Sequence, residues 1–288
     1  MMSIITVSRG SYARGKEVAE KTAQKLGFKC ISREVLIEAS EEFGVPEIKL
    51  LHAVRDAPSI LDRFTFGKER YTAYLQAALL THLQQDNVIY HGLAGHYFVR
   101  DIPHVLKVRI IGKLEDRIKL LMRREEVFQQ AASALAGLPV RGISAIEKHG
   151  PMSEKQAAQI LEDLDEARRK WGIHLYGIDT NDCSLYDLVI HLDRLSPDDA
   201  VDMLCNAIES RRFQTTPESQ RAMDDLLLAA RVKATLIAHH PRVQVASKDG
   251  VVQIVLEGGN SRDLKAIQEA VARMPEVGKF DASVRPIT

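Results

Sequence analysis

The sequence IITVSRGSYARGKEVA at residues 4–19 predicts a phosphate-binding loop between a strand and a helix. The β-branched run ends at a loop in which Gly10, Gly15 and Lys16 have the spacing Gly-x-x-x-x-Gly-Lys. This spacing matches the start of the P-loop, whose backbone N–H groups bind phosphate at a helix N-terminus. The next P-loop position is normally Ser or Thr, which binds Mg²⁺, and here it is Glu17. The stretch therefore indicates nucleotide chemistry with an altered metal position.

The overall charge balance excludes binding through a global positive field. The chain has 288 residues, with 39 Lys+Arg against 39 Asp+Glu, and its formal net charge is zero. Such a chain cannot hold nucleic acid or an anionic membrane by net charge, and we expect no nucleic-acid partner. A local anion site is still compatible with this composition.

Targeting and membrane signals are not found in the sequence. The N-terminal MMSIITVSRG lacks a basic region and has too short an apolar run for a signal peptide. No stretch approaches the roughly 18 apolar residues of a transmembrane helix, so we expect a cytoplasmic location. The 3 cysteines form no CxxC pair, which argues against a disulfide framework and a structural zinc site. We expect no metal site built from protein side chains.

Apolar strands alternate with helical patterns through most of the chain. The predicted strands are residues 4–7, 29–31, 87–90, 105–111 and 185–191. The predicted helices are residues 15–26, 35–43, 68–85, 115–128, 153–171 and 196–209. This alternation favours an α/β fold with a parallel sheet covered by helices on both faces. The Gly and Pro residues of 136–151 predict a mobile connection between two of these helices.

A polar segment with a proline, SRRFQTTPE at residues 210–218, predicts a boundary between two domains. We place the first domain at residues 1–212, a linker at 213–218 and a second domain at 219–288. The second domain has the predicted order αββαβ, with a hairpin turn at Lys248-Asp249-Gly250. A unit of this size is small but able to fold alone.

Five blocks of sequence share the order and spacing of one enzyme family. They are IITVSRG with GKEVAEKTAQKLG within 4–27, NVIYHGLAG at 87–95, VRIIGKLEDRI at 108–118, DEARRKW at 165–171 and YDLVIHLDRLSPDDAV at 186–201. In these blocks the chain resembles the cytidylate-kinase-like family, a branch of the P-loop nucleoside monophosphate kinases. The resemblance implies a P-loop kinase-type sheet. It also implies transfer of the γ-phosphoryl of ATP, with Mg²⁺, to a nucleoside monophosphate such as CMP or dCMP.

The resemblance implies that the first block binds the phosphates of ATP. Lys16 would supply positive charge to the β- and γ-phosphates. Family members usually have a small, glycine-rich stretch where this chain has Tyr12, Ala13 and Arg14. Arg14 either adds a phosphate contact or fills the pocket. The alternative is an ordinary strand-to-helix turn with a lysine in solvent. The predicted contacts are Gly10, Tyr12, Ala13, Arg14, Gly15, Lys16 and Glu17.

The loop HGLAG at residues 91–95 corresponds to a Gly-Arg motif whose arginine holds the acceptor phosphate in the family. Gly92 matches the glycine, but Leu93 stands at the arginine position. Ser32 also departs from the family, which often has Asp there, and the next residue, Arg33, is a candidate nucleotide contact. Two nearby histidines are candidates to replace the missing arginine, namely His91 and His96.

The helices on either side of residues 136–151 correspond to the lid of the monophosphate kinases. Lid arginines stabilise charge on the transferring phosphoryl group. The candidates are Arg123, Arg124, Arg168 and Arg169. Asp165 and Arg168 share a helix face, and the family's DxxR pattern selects Arg168 as catalytic, with Arg124 and Asp165 at the substrate. The alternative is a solvated, charged helix face.

The second domain resembles a BON domain in three pieces. They are VKATLIAHHPRVQV at 232–245, KDGVV at 248–252 and AVARMPEVGKFDASV at 270–284. The resemblance implies a module that binds a lipid or a protein partner.

Two functions compete on these grounds. The first is a nucleotide kinase with Lys16 and Arg168 as its catalytic residues. The alternative is a nucleotide-binding regulatory protein with weak or no catalysis, whose second domain senses a ligand or partner. The departures at Ser32, Leu93 and the Tyr12–Arg14 stretch motivate this alternative.

Overall fold

The computed structural model describes residues 2–10, 12–32, 34–45, 67–92, 94–123 and 152–286. Two predicted substrate contacts, Arg33 and Arg124, lie outside these residues. So do Leu93 and the connection predicted at residues 136–151.

Five strands of the described chain form a parallel sheet with the order β2-β3-β1-β4-β5. They are β1 Ile4–Arg9, β2 Lys29–Ile31, β3 Val88–Tyr90, β4 Val105–Gly112 and β5 Leu188–Leu192. The helices of this part are α1 Gly15–Leu26, α2 Glu34–Phe43, α3 Gly67–Leu83, α4 Gly95–Phe98, α5 at residues 114–123, α6 Glu154–Tyr176 and α7 Pro197–Ile208. The predicted parallel α/β sheet is confirmed.

Each face of this sheet has its own hydrophobic core. Because side chains alternate along a strand, Ile4 packs into one core and Ile5 into the other. The first core is formed with α2, α3 and α4. The second is formed with α1 and α7. The helices therefore cover both faces, as the sequence pattern predicts.

Among the described residues, two predicted element bounds differ from the structure by three residues or more. The strand expected at 185–191 begins only at Leu188, because Cys183–Leu185 form a 3₁₀ turn. The Asp182 carboxylate caps this turn by accepting the Ser184 N–H at 2.9 Å. Helix α6 continues to Tyr176 beyond its predicted end at 171. Its N-terminus has a capping box formed by Ser153 and Gln156.

A smaller mixed sheet follows in the described chain, with the order β6-β7-β8. Its elements are α8 Pro217–Ile237, β6 Val243–Lys248, β7 Val251–Glu257, α9 Ser261–Val271 and β8 Lys279–Arg285. β6 and β7 are antiparallel, and β7 and β8 are parallel. The predicted αββαβ order is confirmed.

Helix α8 contributes side chains to the cores of both sheets. Met223, Leu227 and Ala230 lie in the first core of the large sheet, next to α3. Val232 and Leu236 lie in the core of the small sheet. The two sheets are therefore joined through one shared helix.

The Asp225 carboxylate fastens α8 to the β6–β7 turn. It accepts hydrogen bonds from the Ser247 hydroxyl at 2.6 Å and from the Asp249 and Gly250 N–H groups at 2.7 and 2.9 Å. We expect Asp225→Ala to lower the unfolding free energy by about 1–2 kcal/mol, because these donors lose their partner. Urea denaturation measures this change. Asp224→Ala, at an exposed neighbour, should change it by less than about 1 kcal/mol.

The same bonds predict a pH dependence. Burial acts to raise the pKa of Asp225, but the hydrogen bonds from Ser247, Gly250 and Asp249 outweigh it and the pKa lies below its ordinary value. The stabilisation is present at neutral pH and is lost as the pH falls through this lowered pKa. The difference in unfolding free energy between wild type and Asp225→Ala should therefore become smaller below about pH 4. A difference that stays constant down to pH 2 would contradict this assignment.

Candidate functional site

The loop between β1 and α1 lies at the carboxyl edge of the parallel sheet, where ligand sites of α/β proteins form. Its first residue, Gly10, donates its N–H to the Ile110 carbonyl at 3.0 Å and so ties the loop to β4. A Cβ atom on Gly15 would lie 2.7 Å from the Cβ of Arg9. Glycine is therefore required at position 15 by the close approach of α1 to β1.

The stretch between these glycines has an uncommon backbone. φ is 55° at Tyr12 and 56° at Arg14, a left-handed conformation that costs a non-glycine residue roughly 1 kcal/mol. The Tyr12 side chain packs against the cluster of Leu121 and Leu161, on α5 and α6. Ala13 is 3% exposed. Tyr12 and Ala13 thus pack the loop against the protein, while Arg14 lies at its outer end.

Carboxylates of α1 bind the cationic side chains of the loop. Arg14 makes two hydrogen bonds to Glu17, at 2.7 and 2.9 Å. Glu17 is also 3.2 Å from the Lys21 ammonium group. The Lys16 ammonium group is 3.5 Å from Glu20, and its side chain is 62% exposed. Lys16, the second residue of α1, therefore extends into solvent beside Glu20.

Four arginines from different elements meet beside this loop. We call them the arginine cluster: Arg9, Arg109, Arg117 and Arg168. Arg168 donates from Nη1 to the Arg9 carbonyl oxygen at 3.2 Å, which places α6 against the end of β1. Burial lowers the pKa of Arg168, and the positive charges of the other three cluster members lower it further. Arg117 binds Asp165 at 2.6 Å. This region therefore concentrates positive charge that a phosphate group would neutralise.

Arg109 is held in the cluster by a polar network. Its guanidinium donates to the Ser8 hydroxyl at 3.2 Å and to the Asn181 side chain at 3.0 Å. The Tyr186 hydroxyl lies within 3.4 Å of Arg109, Ser8 and the His96 ring. The network fixes the direction of the Arg109 side chain, so its charge is preorganised.

The loop after β3 is packed tightly around Tyr90. A Cβ atom on Gly92 would overlap the Tyr90 hydroxyl, and one on Gly95 would lie 2.5 Å from the Tyr90 ring. The histidines proposed to replace the missing arginine are both buried. Burial, with Arg9, lowers the pKa of His91 to about 4, and burial, with Arg109, lowers that of His96 to about 4. Both imidazoles are neutral at pH 7, so neither supplies the charge of an arginine.

The other predicted lid residues fall into separate environments. Arg169 binds Glu166 at 2.7 Å and lies 3.5 Å from Asp179, so it forms partly exposed surface pairs. Asp165 binds Arg117, and it faces the same cluster as Arg168. Arg123 lies at the end of the described part of α5. Of this predicted set, the structure brings Arg168 to the end of β1, next to the loop between β1 and α1, and Asp165 to the neighbouring Arg117.

Three residues of the arginine cluster were missed by sequence reasoning. Arg9 is the last residue of β1, at the sheet edge where ligands bind, and this position was a usable signal. Arg117 lies within a block that matched the family. Arg109 lies in the same block, but its partners Ser8 and Asn181 are distant in sequence, so the block alone did not indicate its role.

Two further findings concern the described residues alone. They contain no group of three or more His, Cys, Asp or Glu side chains placed to hold a metal ion. None of their helices is long and apolar enough to span a membrane.

Comparison with known proteins gives matches over the large sheet. A model of the cytidylate kinase-like family matches residues 4–138 and 136–194. A cytidylate kinase of Methanosarcina acetivorans is 29% identical over 131 residues, which are 46% of this chain and 59% of the relative. A cytidylate kinase of Thermoplasma volcanium is 31% identical over 70 residues, 24% of this chain and 37% of the relative. The matches thus span less than two thirds of these relatives.

A solved structure supports the fold. An uncharacterized protein from Eubacterium ventriosum is similar with a TM-score of 0.50 at 18% identity, over 73% of this chain and 99% of the other. At that identity the likeness concerns architecture. The family match covers more than half of the 288 residues and ends at residue 194, before the small sheet. On the strength of that match, this chain belongs to the cytidylate kinase-like family.

Proposed function

We propose that this protein is a nucleotide kinase that transfers the γ-phosphoryl group of ATP to a nucleoside monophosphate. The observation that supports this most strongly is the arginine cluster beside the phosphate loop. Phosphoryl transfer requires the enzyme mainly to position two phosphates and to stabilise their negative charge. Converging arginines at the carboxyl edge of a parallel sheet meet that requirement.

The donor site would be formed by the loop and the nearest cluster members. Among the described residues, neither Arg9 nor Arg168 forms an ion pair with a carboxylate. Both guanidinium groups are also partly removed from water, and this burial lowers the pKa of each. Such guanidinium groups fit a polyanion such as the triphosphate of ATP. Lys16 would turn from Glu20 to the β- and γ-phosphates. Arg168 would act as the catalytic cation, and the loop backbone would hold the phosphate oxygens.

The described side chains do not fit a Mg²⁺ site of their own. At the position of the usual hydroxyl ligand, the Glu17 carboxylate is bound to Arg14 and Lys21. Mg²⁺ in kinases is held largely by phosphate oxygens and water, and it would come to this site with ATP.

CMP or dCMP is the proposed acceptor, on the basis of the family and of the relatives' names. Asp165 would orient Arg117, to which it is bound. Gly92 would allow the loop after β3, which would hold the acceptor, to pack closely over Tyr90. Arg33 and Arg124, outside the described residues, are the remaining proposed contacts. The neutral His91 and His96 would not hold a monophosphate by charge.

A nucleotide panel tests the function directly. Purified full-length protein with ATP and Mg²⁺ should form ADP with at least one nucleoside monophosphate, measured by a coupled assay. Lys16→Ala should lower kcat/KM by about tenfold or more, because a phosphate-directed charge is lost. Lys25→Ala, farther along α1, is the matched control, since that lysine pairs with Asp202 of α7. ATP binding by calorimetry without turnover on any acceptor would instead support the nucleotide-binding regulatory protein.

For the second domain, residues 219–288, we propose a separate ligand-binding role, as its BON-like pattern implies. The side chains of Val251 and Gln253 on the outer face of the small sheet are exposed and available for such contacts. The occupant would be a lipid or a protein partner of a cytoplasmic enzyme. Co-sedimentation of the full-length protein with liposomes separates these two, because a protein partner would leave it in the supernatant.

A further inference from the structure

The two flexible cations of the phosphate loop are held unequally. Arg14 is bound by Glu17 through two short hydrogen bonds, with both side chains partly buried at 45% and 32% exposure. Lys16 has one longer contact to Glu20, at 3.5 Å, and both of these side chains are more exposed. Without nucleotide, Arg14 is therefore the cation whose charge is already paired with a carboxylate.

The position of Glu17 makes it resemble a bound anion. It lies in the first turn of α1, where the helix dipole and unpaired N–H groups favour negative charge. The hydrogen bonds from Arg14 are the largest cause of its lowered pKa, so the carboxylate is ionised at neutral pH. Lys21 holds Glu17 from the other side, and Lys21 is itself bound to Asp198 of α7 at 2.7 Å. A carboxylate thus occupies the first turn of α1 and pairs with a cation of the preceding loop.

We propose that Glu17 competes with the nucleotide triphosphate for Arg14, binding its guanidinium in the free protein and releasing it to a phosphate group when nucleotide binds. This inference rests on the proposed nucleotide-binding function and concerns the regulation of the same site. Arg14 is then a phosphate-binding residue, and Glu17 sets the affinity. The Arg14 side chain is 45% exposed, so it has solvent into which it can turn when it leaves Glu17.

Calorimetry with a non-hydrolysable ATP analogue, on the full-length protein, tests this exchange. It is done without Mg²⁺, so that metal binding does not contribute. Glu17→Gln should tighten binding about threefold, the size expected when one exposed ion pair no longer has to be broken. Arg14→Gln should weaken it by about fivefold, because a charge-assisted phosphate contact is lost. The double variant should bind like Arg14→Gln.

Asp202→Asn is the control, since it removes one negative charge that pairs with Lys25 at the far end of α1 and should change affinity less than twofold. Equal tightening by Asp202→Asn, or a gain from Glu17→Gln that persists without Arg14, would show a general charge effect and overturn the proposal. Glu17→Ser also removes the carboxylate that binds Arg14. It replaces Glu17→Gln in these measurements if Glu17→Gln unfolds at a lower temperature than wild type.

Turnover separates this proposal from the kinase function. If wild type phosphorylates a monophosphate while Glu17→Gln binds the analogue as wild type does, the competition is refuted and the kinase stands. If Glu17→Gln tightens binding in a protein without turnover, the competition stands and the kinase is refuted. If neither protein binds the analogue, both proposals are overturned.

Discussion

Replacing Arg168 with Ala is expected to lower kcat for the proposed phosphoryl transfer by about 10²–10³-fold, with a smaller change in KM for ATP. The guanidinium is held against the end of β1 by its hydrogen bond to the Arg9 carbonyl. A fixed cation directed at developing charge stabilises the transition state more than the bound substrate. Steady-state kinetics with the acceptor identified from the panel give both constants.

The adjacent Arg169 provides a matched control for this effect. Its guanidinium is occupied by Glu166 and Asp179 at the surface. Arg169→Ala should change kcat less than about twofold, because exposed ion pairs contribute little. Arg168→Lys should recover part of the lost activity, since it retains the charge but not the planar donor geometry. Equal losses in Arg168→Ala and Arg169→Ala would show that α6 acts only through its overall charge.

The fold and the position of the loop between β1 and α1 could be predicted because their signals are local. The glycine spacing of Gly10 and Gly15 lies within one short stretch, and alternating strands and helices define a parallel sheet wherever they occur. The arginine cluster could not be predicted in this way, because its members come from separate elements of the chain. Arg109 meets Ser8 only because β1 and β4 are neighbours in parallel register. Strand order determines which side chains converge, and the sequence does not state strand order.

The pairing of charges was also beyond sequence reasoning. Arg14 and Glu17 are three residues apart across a helix start, where their contact depends on the left-handed φ of Arg14. Sequence analysis left Arg14 as either a phosphate contact or a pocket-filling residue. In the structure its guanidinium is bound to Glu17, a contact that the sequence did not indicate.

Helix α8 carries a signal that the boundary prediction did not use. Its apolar residues form two stripes, one with Leu227 and Ala230 and another with Val232 and Leu236. A helix that is apolar on more than one side is buried between two partners. The polar residues 210–218 suggested a linker, but Thr215 binds the buried Asp86 at 2.8 Å and the Met2 carbonyl at 3.1 Å.

This shared helix leads to the second large expected effect. Leu227→Ala should lower the unfolding free energy by about 2–4 kcal/mol, since its side chain is 4% exposed in the core with α3. Because α8 also completes the small-sheet core, we expect the loss to appear in both sheets. Urea denaturation measures the loss in unfolding free energy. Hydrogen exchange at the amides of β1 and β7 measures the loss in each sheet.

Leu236→Ala provides the reciprocal experiment, since this side chain is 2% exposed in the core of the small sheet. If α8 couples the two sheets, each variant lowers protection in β1 and β7 by similar amounts, because core amides exchange through global unfolding. If Leu227→Ala affected β1 alone and Leu236→Ala affected β7 alone, the sheets would be independent folding units. With coupling, a fragment of residues 1–212 should lack a cooperative transition, because the α3 surface that packs on Met223 and Leu227 would be exposed to water.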